Sequence, residues 1–129
     1  MKVMVFVKAT QESEAGARPP DPKMMEAMGK YNEALIAAGI LKEKMLGGLK
    51  PTRFAKRVHF AGKNRMVTDG PFTETKELVA GFWLWEVSSI EEAVKWVKKC
   101  PNPMPTDSDI EIRPLYSLDE LQRWKDGTA

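Results

Sequence analysis

The sequence predicts an α+β fold of the ferredoxin-like type, in which helices cover one face of an antiparallel sheet. Valine-rich and aromatic runs typical of buried strands occur at residues 2–8 and 78–87. An apolar helical stripe follows each run, and further strand-like residues lie between and after the two helices. The element order is therefore β, α, several β, α, β, α, in which two βαβ-like halves share one sheet.

The N-terminal elements set the centre of this sheet. The first strand, residues 2–8, is almost continuously apolar, so we expect it to be central and buried on both faces. The polar stretch 10–21 contains a pair of prolines and predicts a loop, which is long enough to act as a lid or rim. The first helix is expected over 22–38, because an Asp-Pro pair begins it and Gly39 follows it.

The middle of the chain predicts strands. Residues 40–47 are followed by a two-glycine break, and residues 55–61 and 65–68 flank a Gly-Lys-Asn turn. Runs of this kind around a short turn predict a β-hairpin.

The run 78–87 is the strongest strand signal and leads to an oligomer prediction. Trp83 and Trp85 point to one face of the sheet, whereas Phe82 and Leu84 point to the other. Neither face is polar, and helices can cover only one of them. We therefore predict a homodimer in which a second copy buries the other face.

Two Ser-x-x-Glu capping boxes predict the remaining helices, which begin after Ser89 and Ser117. Pro101 ends the first of these helices, and a proline-rich loop is expected over 101–108. Residues 109–116 alternate isoleucines with charged residues and predict the last strand.

The composition narrows the class of protein. Hydrophobic residues form 43% and charged residues 29% of the 129 residues, which fits one ordinary globular domain. The net charge of +2 makes nucleic acid an unlikely partner, and the single cysteine excludes an internal disulfide. The first apolar run has five residues, too few for a signal peptide or a membrane helix, so we expect a cytoplasmic protein with no membrane partner.

Residues 68–77 read TDGPFTETKE, and they precede the aromatic strand. With Ala80–Trp83 and the later Arg113-Pro114, this segment resembles the DGPF-domain family within the YCII-related group, and the resemblance extends over nearly the whole chain. It implies a single YCII-related (DGPF) domain over 1–129 and a dimeric α+β barrel, in which two sheets pack face to face. Function in this family is largely unassigned, and some relatives are associated with sigma-factor regulators.

The resemblance also bears on catalysis, because related YCII proteins are thought to use a His and an Asp in a cleft. Asp69 keeps the position of the motif, but the His would fall near the start of the first helix, where this chain has Met24-Met25. The only histidine is His59, on the predicted hairpin beside Arg57. Asp69 and His59 are thus the catalytic candidates. As a general base His59 needs an orienting carboxylate, and otherwise it is a surface or interface residue.

The DGPF turn has two interpretations. In the structural one, Asp69 accepts a hydrogen bond from the turn backbone, Gly70 adopts positive φ and Pro71 fixes the next φ. In the functional one, Asp69, Gly70, Pro71 and Phe72 contact a ligand. The structural and the functional interpretation can both hold if the turn lines a cleft.

Arginines supply the candidate anion site. We expect Arg57, Arg65 and Arg113 to converge on one sheet face, where they would suit a carboxylate or phosphate group. The charged run 74–77 either holds a polar ligand, acts as acid and base, or is a solvated loop. One His and one Cys far apart predict no metal site, and no fingerprint of a cofactor site occurs, so we predict no cofactor.

The sequence therefore predicts binding of a small, partly apolar molecule in a cleft near the DGPF turn, with an anionic group if the arginines take part. A first alternative is a non-catalytic regulatory or scaffold protein that binds a protein partner, as in sigma-factor-linked signalling. A second alternative, by analogy of fold, is a cofactor-free monooxygenase- or isomerase-like enzyme.

Overall fold

The computed structural model describes residues 1–16 and 21–127. In these ranges the strands and helices alternate much as the sequence predicts. They are β1 (Lys2–Lys8), α1 (Gln11–Ala15), α2 (Pro22–Ala37), β2 (Leu41–Gly48), β3 (Lys56–Ala61), β4 (Asn64–Asp69), β5 (Val79–Glu86), α3 (Ile90–Lys98), β6 (Ile110–Pro114) and α4 (Leu118–Lys125), with short 3₁₀ turns at Thr52–Phe54 and Thr75–Glu77. None of these helices has the length and apolarity needed to cross a bilayer.

Four strands form the main sheet, in the order β2-β5-β1-β6, and all neighbours are antiparallel. With α2 and α3 as the crossover helices, this is the βαββαβ arrangement of a ferredoxin-like fold, so the predicted fold is confirmed. Strands β3 and β4 form a separate two-stranded sheet. Along the chain, they are inserted between β2 and β5 of the main sheet. The hairpin is thus an addition to the fold, joined to it at its base.

The core lies on one face of the main sheet. Val3 and Val5 on β1, and Trp83 and Trp85 on β5, are at most 5% exposed there. Strand side chains alternate between the two faces, so the helices that bury these residues leave the opposite residues uncovered. The prediction that β1 is buried on both faces is therefore wrong for a single chain, where its other face is half-exposed.

That second face is apolar but open. Met4 and Phe6 on β1, and Phe82 and Leu84 on β5, alternate with the core residues and are half-buried. The predicted division of the aromatic strand into two apolar faces is confirmed. Burial of this open face by a second copy stays a prediction.

Helix α2 is fastened to the core by aromatic groups. The Tyr31 hydroxyl donates to the Trp96 carbonyl at 2.6 Å, and Trp83 Nε1 donates to Asn32 Oδ1 at 2.9 Å. The Tyr31 and Trp83 rings meet edge to face, with centroids 6.1 Å apart. Burial raises the pKa of Tyr31, because a phenolate at this place would lose its hydration.

The helix caps match the sequence in all but one detail. Both Ser89 and Ser117 accept the backbone N–H three residues on, as predicted. Glu120 completes its box by accepting from the Ser117 backbone N–H. Glu92 does not, because its carboxylate accepts from the Ser88 backbone N–H instead, at 2.9 Å.

The predicted loop 10–21 contains a helix. Thr10 and Ser13 form a reciprocal capping box that starts α1, and Gly16 ends it at φ 60°. The five-residue helix has no apolar stripe, which is why periodicity did not reveal it. The rest of that loop, 17–20, lies outside the described residues, so the predicted lid is not described.

Candidate functional site

The DGPF turn lies at the base of the hairpin, directly after β4. Its Gly70–Pro71 peptide bond is cis, and the Gly70 N–H donates to the Ala55 carbonyl at 2.9 Å. A Cβ on Gly70 would lie 1.6 Å from the Thr52 carbonyl oxygen. The glycine is therefore required by a close backbone approach. The prediction of positive φ is wrong, because the backbone of Gly70 does not adopt the left-handed conformation.

Asp69 has a different role from the predicted one. Its Oδ1 lies 2.6 Å from Lys56 Nζ across the hairpin, and its side chain is 73% exposed. This carboxylate pairs with a cross-strand lysine because the two residues are directly opposite in the β3–β4 register. The structure records no hydrogen bond from the described turn backbone to Asp69.

Thr52 connects the turn to α1. Its hydroxyl accepts from the Phe72 backbone N–H at 3.0 Å, and its own N–H and hydroxyl both donate to the Glu14 carboxylate. Arg53 Nη1 adds a bond to the Ala15 carbonyl at 2.9 Å. Sequence reasoning missed this anchor, because the two segments are 38 residues apart and neither carries a motif.

A pocket of about 220 Å³ opens beside the turn, lined by Arg57, Pro71, Phe72, Thr73 and Glu74. The Arg57 guanidinium lies over the Phe72 ring, with Cζ 3.6 Å from the ring centroid. This is a close cation–π contact, which holds the charge of the side chain against an apolar wall. Three predicted ligand-binding residues, Arg57, Pro71 and Phe72, thus meet at one pocket.

Two carboxyl groups, those of Glu74 and Glu77, interact at the edge of this site. A hydrogen bond with Glu74, and the negative charge of that residue, raise the pKa of Glu77. The nearby cations Lys8 and Arg57 act in the opposite direction with smaller effect. Lys8 Nζ also donates to the Glu77 carbonyl at 3.4 Å. The run 74–77 is therefore solvent-exposed, as one interpretation predicted, yet it contains an interacting pair of acids.

The three arginines do not converge within one chain, so that prediction is wrong. Arg65 is paired with Phe60, an odd number of residues from Arg57, so the two arginines lie on opposite faces of the hairpin. Arg65 covers the Phe60 ring and donates to the Gly62 and Asn64 carbonyls. Arg113 lies on β6 opposite Met4, in the other sheet.

His59 is exposed and lies opposite Met66 in the hairpin. No described carboxylate orients its ring, so it lacks the partner that a general base requires. Gly70 and Asp69 do not line the pocket. The described residues also contain no cluster of three metal-ligating side chains.

Comparison with known proteins agrees with this architecture. A family model described as the YCII-related domain matches residues 1–119. The chain is also similar to an uncharacterised protein of Rhizobium meliloti (strain 1021), with 31% identity over 109 residues, which are 83% of this chain and 86% of that protein.

Proposed function

This chain belongs to the YCII-related family, and we propose that it binds a small, partly apolar, anionic molecule in the pocket beside the DGPF turn. The motif in this proposal builds the pocket rather than performing chemistry. Gly70 and the Thr52 anchor fix the path of the backbone, so that Pro71, Phe72 and Thr73 line one side of the space.

The observation that carries the proposal is the Arg57 guanidinium held over the Phe72 ring at the pocket wall. Arg57 takes part in none of the close ion pairs between described residues. A guanidinium that is positioned by stacking keeps its N–H groups for a carboxylate or phosphate, which it can bind through two parallel hydrogen bonds. Pro71 and the Phe72 edge supply the apolar contact.

Isothermal titration calorimetry with benzoate, phenylacetate and phenyl phosphate tests this proposal. Loss of a hydrogen bond to a charged group costs about 1.5–3 kcal/mol, so Arg57→Gln is expected to weaken binding by about 10- to 150-fold. Arg113→Gln is the matched control, because this exposed arginine lies on the other sheet, and it should change affinity less than about twofold. Neutral benzamide should bind the wild type more weakly and be insensitive to Arg57→Gln.

Two results would refute the binding proposal. One is that none of these anions binds the wild type. The other is that Arg57→Gln and Arg113→Gln change affinity equally, because the charge at the pocket would then contribute nothing specific.

The Glu74–Glu77 pair favours a second candidate function, an isomerase-like enzyme that moves a proton. The raised pKa of Glu77 favours a protonated carboxyl group beside Glu74, which lines the pocket, and two neighbouring carboxyl groups can give and take a proton. One carboxylate would remove a proton from a carbon beside a carbonyl, and the pair would return a solvent proton to the substrate.

Deuterium incorporation into phenylpyruvate in heavy water, followed by NMR, tests this second candidate. Glu77→Gln should abolish any exchange above the uncatalysed rate while leaving benzoate affinity unchanged. Exchange at the uncatalysed rate with the wild type would leave phenylpyruvate enolisation without support and would favour binding alone.

A further inference from the structure

We infer that the ligand of the pocket beside the DGPF turn carries an ammonium group as well as an anionic group, as an α-amino acid with an apolar side chain does. This ligand class rests on the proposed binding at Arg57, which it narrows. The starting observation is that the pocket contains two opposite charges, because Glu74 lines the same space as Arg57.

Arg57 and Glu74 lie at one pocket without neutralising each other. The close ion pairs between described residues join other groups, and neither Arg57 nor Glu74 belongs to any of them. The guanidinium is instead held over the Phe72 ring. Because the two charges do not form an ion pair with each other, both stay available to a ligand.

The Glu74 side of the pocket is acidic in character. Glu74 forms a hydrogen bond with Glu77, which helps to hold the Glu74 carboxyl group in place. The negative charge of Glu74 raises the pKa of Glu77 more than the charge of either nearby cation, Lys8 or Arg57, lowers it. A cationic group of a ligand is therefore favoured at this side, opposite in sign to the group bound by Arg57.

A ligand with a single charge matches only half of this pocket. A carboxylate bound to Arg57 is also repelled by the negative charge of Glu74, and an amine bound to Glu74 is repelled by Arg57. A zwitterion pairs with both residues and has no net charge. The two opposite charges thus reject singly charged ligands as well as attracting the doubly charged one.

The apolar wall and the size of the pocket indicate the rest of the ligand. Pro71 and the half-buried Phe72 supply an apolar surface beside the two charges. The volume of about 220 Å³ is below the roughly 300–1,000 Å³ that is usual for drug-sized ligands, so it suits a single amino acid better than a peptide. An aromatic side chain packs well against a phenyl ring, which makes phenylalanine the natural probe.

Isothermal titration calorimetry of the full chain at about pH 7 with three ligands tests the assignment. Phenylalanine carries both charges, 3-phenylpropionate lacks the ammonium group and 2-phenylethylamine lacks the carboxylate. Phenylalanine should bind the wild type about 10-fold more tightly than either of the other two. This is the lower end of the range for a charged hydrogen bond, because Arg57 and Glu74 are both exposed.

Two variants separate the contributions of the two charges. Glu74→Gln should weaken phenylalanine binding by about 10-fold without weakening 3-phenylpropionate binding, which also shows that the variant is folded. Arg57→Gln should weaken the binding of phenylalanine and 3-phenylpropionate but not that of 2-phenylethylamine. Glu33→Gln is the matched control, since this exposed glutamate of α2 does not line the pocket and should leave all three affinities unchanged.

Two results would overturn the assignment of an amino acid and leave the proposed anion binding intact. One is that 3-phenylpropionate binds the wild type as tightly as phenylalanine. The other is that Glu74→Gln leaves the affinity for phenylalanine unchanged while Arg57→Gln lowers it. Failure of all three ligands to bind the wild type would instead count against the proposed binding itself.

Discussion

Replacing Gly70 with alanine should destabilise the protein far more than its half-buried position suggests. The added Cβ would lie 1.6 Å from the Thr52 carbonyl oxygen and 2.6 Å from the Thr52 carbonyl carbon. Both atoms belong to the backbone, so no side-chain rotation relieves the clash. The two backbone segments must separate by more than an ångström.

The magnitude follows from the contacts that this separation breaks. Overpacking alone costs about 1–3 kcal/mol. The Gly70–Ala55 and Phe72–Thr52 hydrogen bonds lie on either side of the clash, and each contributes about 1 kcal/mol. A loss of about 3–5 kcal/mol in the free energy of unfolding corresponds to a fall in Tm of about 12 °C or more for a chain of this size.

Thermal unfolding followed by circular dichroism gives the result. Gly29→Ala is the matched control, because a Cβ there meets nothing within 4 Å and the residue is inside α2. Alanine at this helical position should stabilise by about 1 kcal/mol and raise Tm by about 4 °C. If Gly70→Ala melts within about 3 °C of the wild type, the close approach does not exist as described.

Three further perturbations address single groups. Asp69→Ala should lower stability by at most about 1 kcal/mol in the same thermal assay, since its ion pair with Lys56 is exposed; a larger loss would restore the predicted role of Asp69 in holding the turn. Burial raises the pKa of Cys100 to about 11 from 9.0, so the thiolate fraction of Cys100 at about pH 8 is roughly 100-fold lower than that of a free thiol. Its reaction with Ellman's reagent should slow in proportion, because the thiolate is the reacting form. A native chain that reacts as fast as the urea-unfolded chain would contradict this prediction. The raised pKa of Glu77 favours the protonated form in the fold, so the associated stability is complete below pH 4.5 and is lost as the pH rises through the folded pKa. Glu77→Gln keeps a donor toward Glu74 at every pH, and its Tm relative to the wild type should increase between about pH 4 and about pH 7. A constant difference in Tm would contradict the raised pKa of Glu77.

The main sheet could be predicted because its signals are local. The alternation in the aromatic strand assigned Trp83 and Trp85 to one face and Phe82 and Leu84 to the other, and the structure agrees. The hairpin could also be predicted, since two short runs flank a turn with a glycine at φ 60°. Within the sheet, only the predicted burial of the second face is wrong, because the helices of one chain cover only the other face.

The site was harder to predict because its contacts are not local. Gly70 is required because a side chain there would clash with the backbone of Thr52, eighteen residues earlier. From sequence alone, a glycine indicates only that the backbone can adopt unusual dihedral angles. Arg57 and Arg65 were expected together, but their separation depends on a register that sequence does not specify. The hydrogen bonds from Thr52 to Glu14 had no signal in the sequence.

The central position of β1 has a consequence for the order in which the protein is made. This strand pairs with Val79–Glu86 on one side and with Ile110–Pro114 on the other, so both of its partner strands are synthesised long after it. At about 5–20 residues per second, the apolar run Val3–Val7 waits several seconds on the ribosome before either neighbour exists. During that interval the strand is unpaired, and an unpaired apolar strand is prone to aggregation.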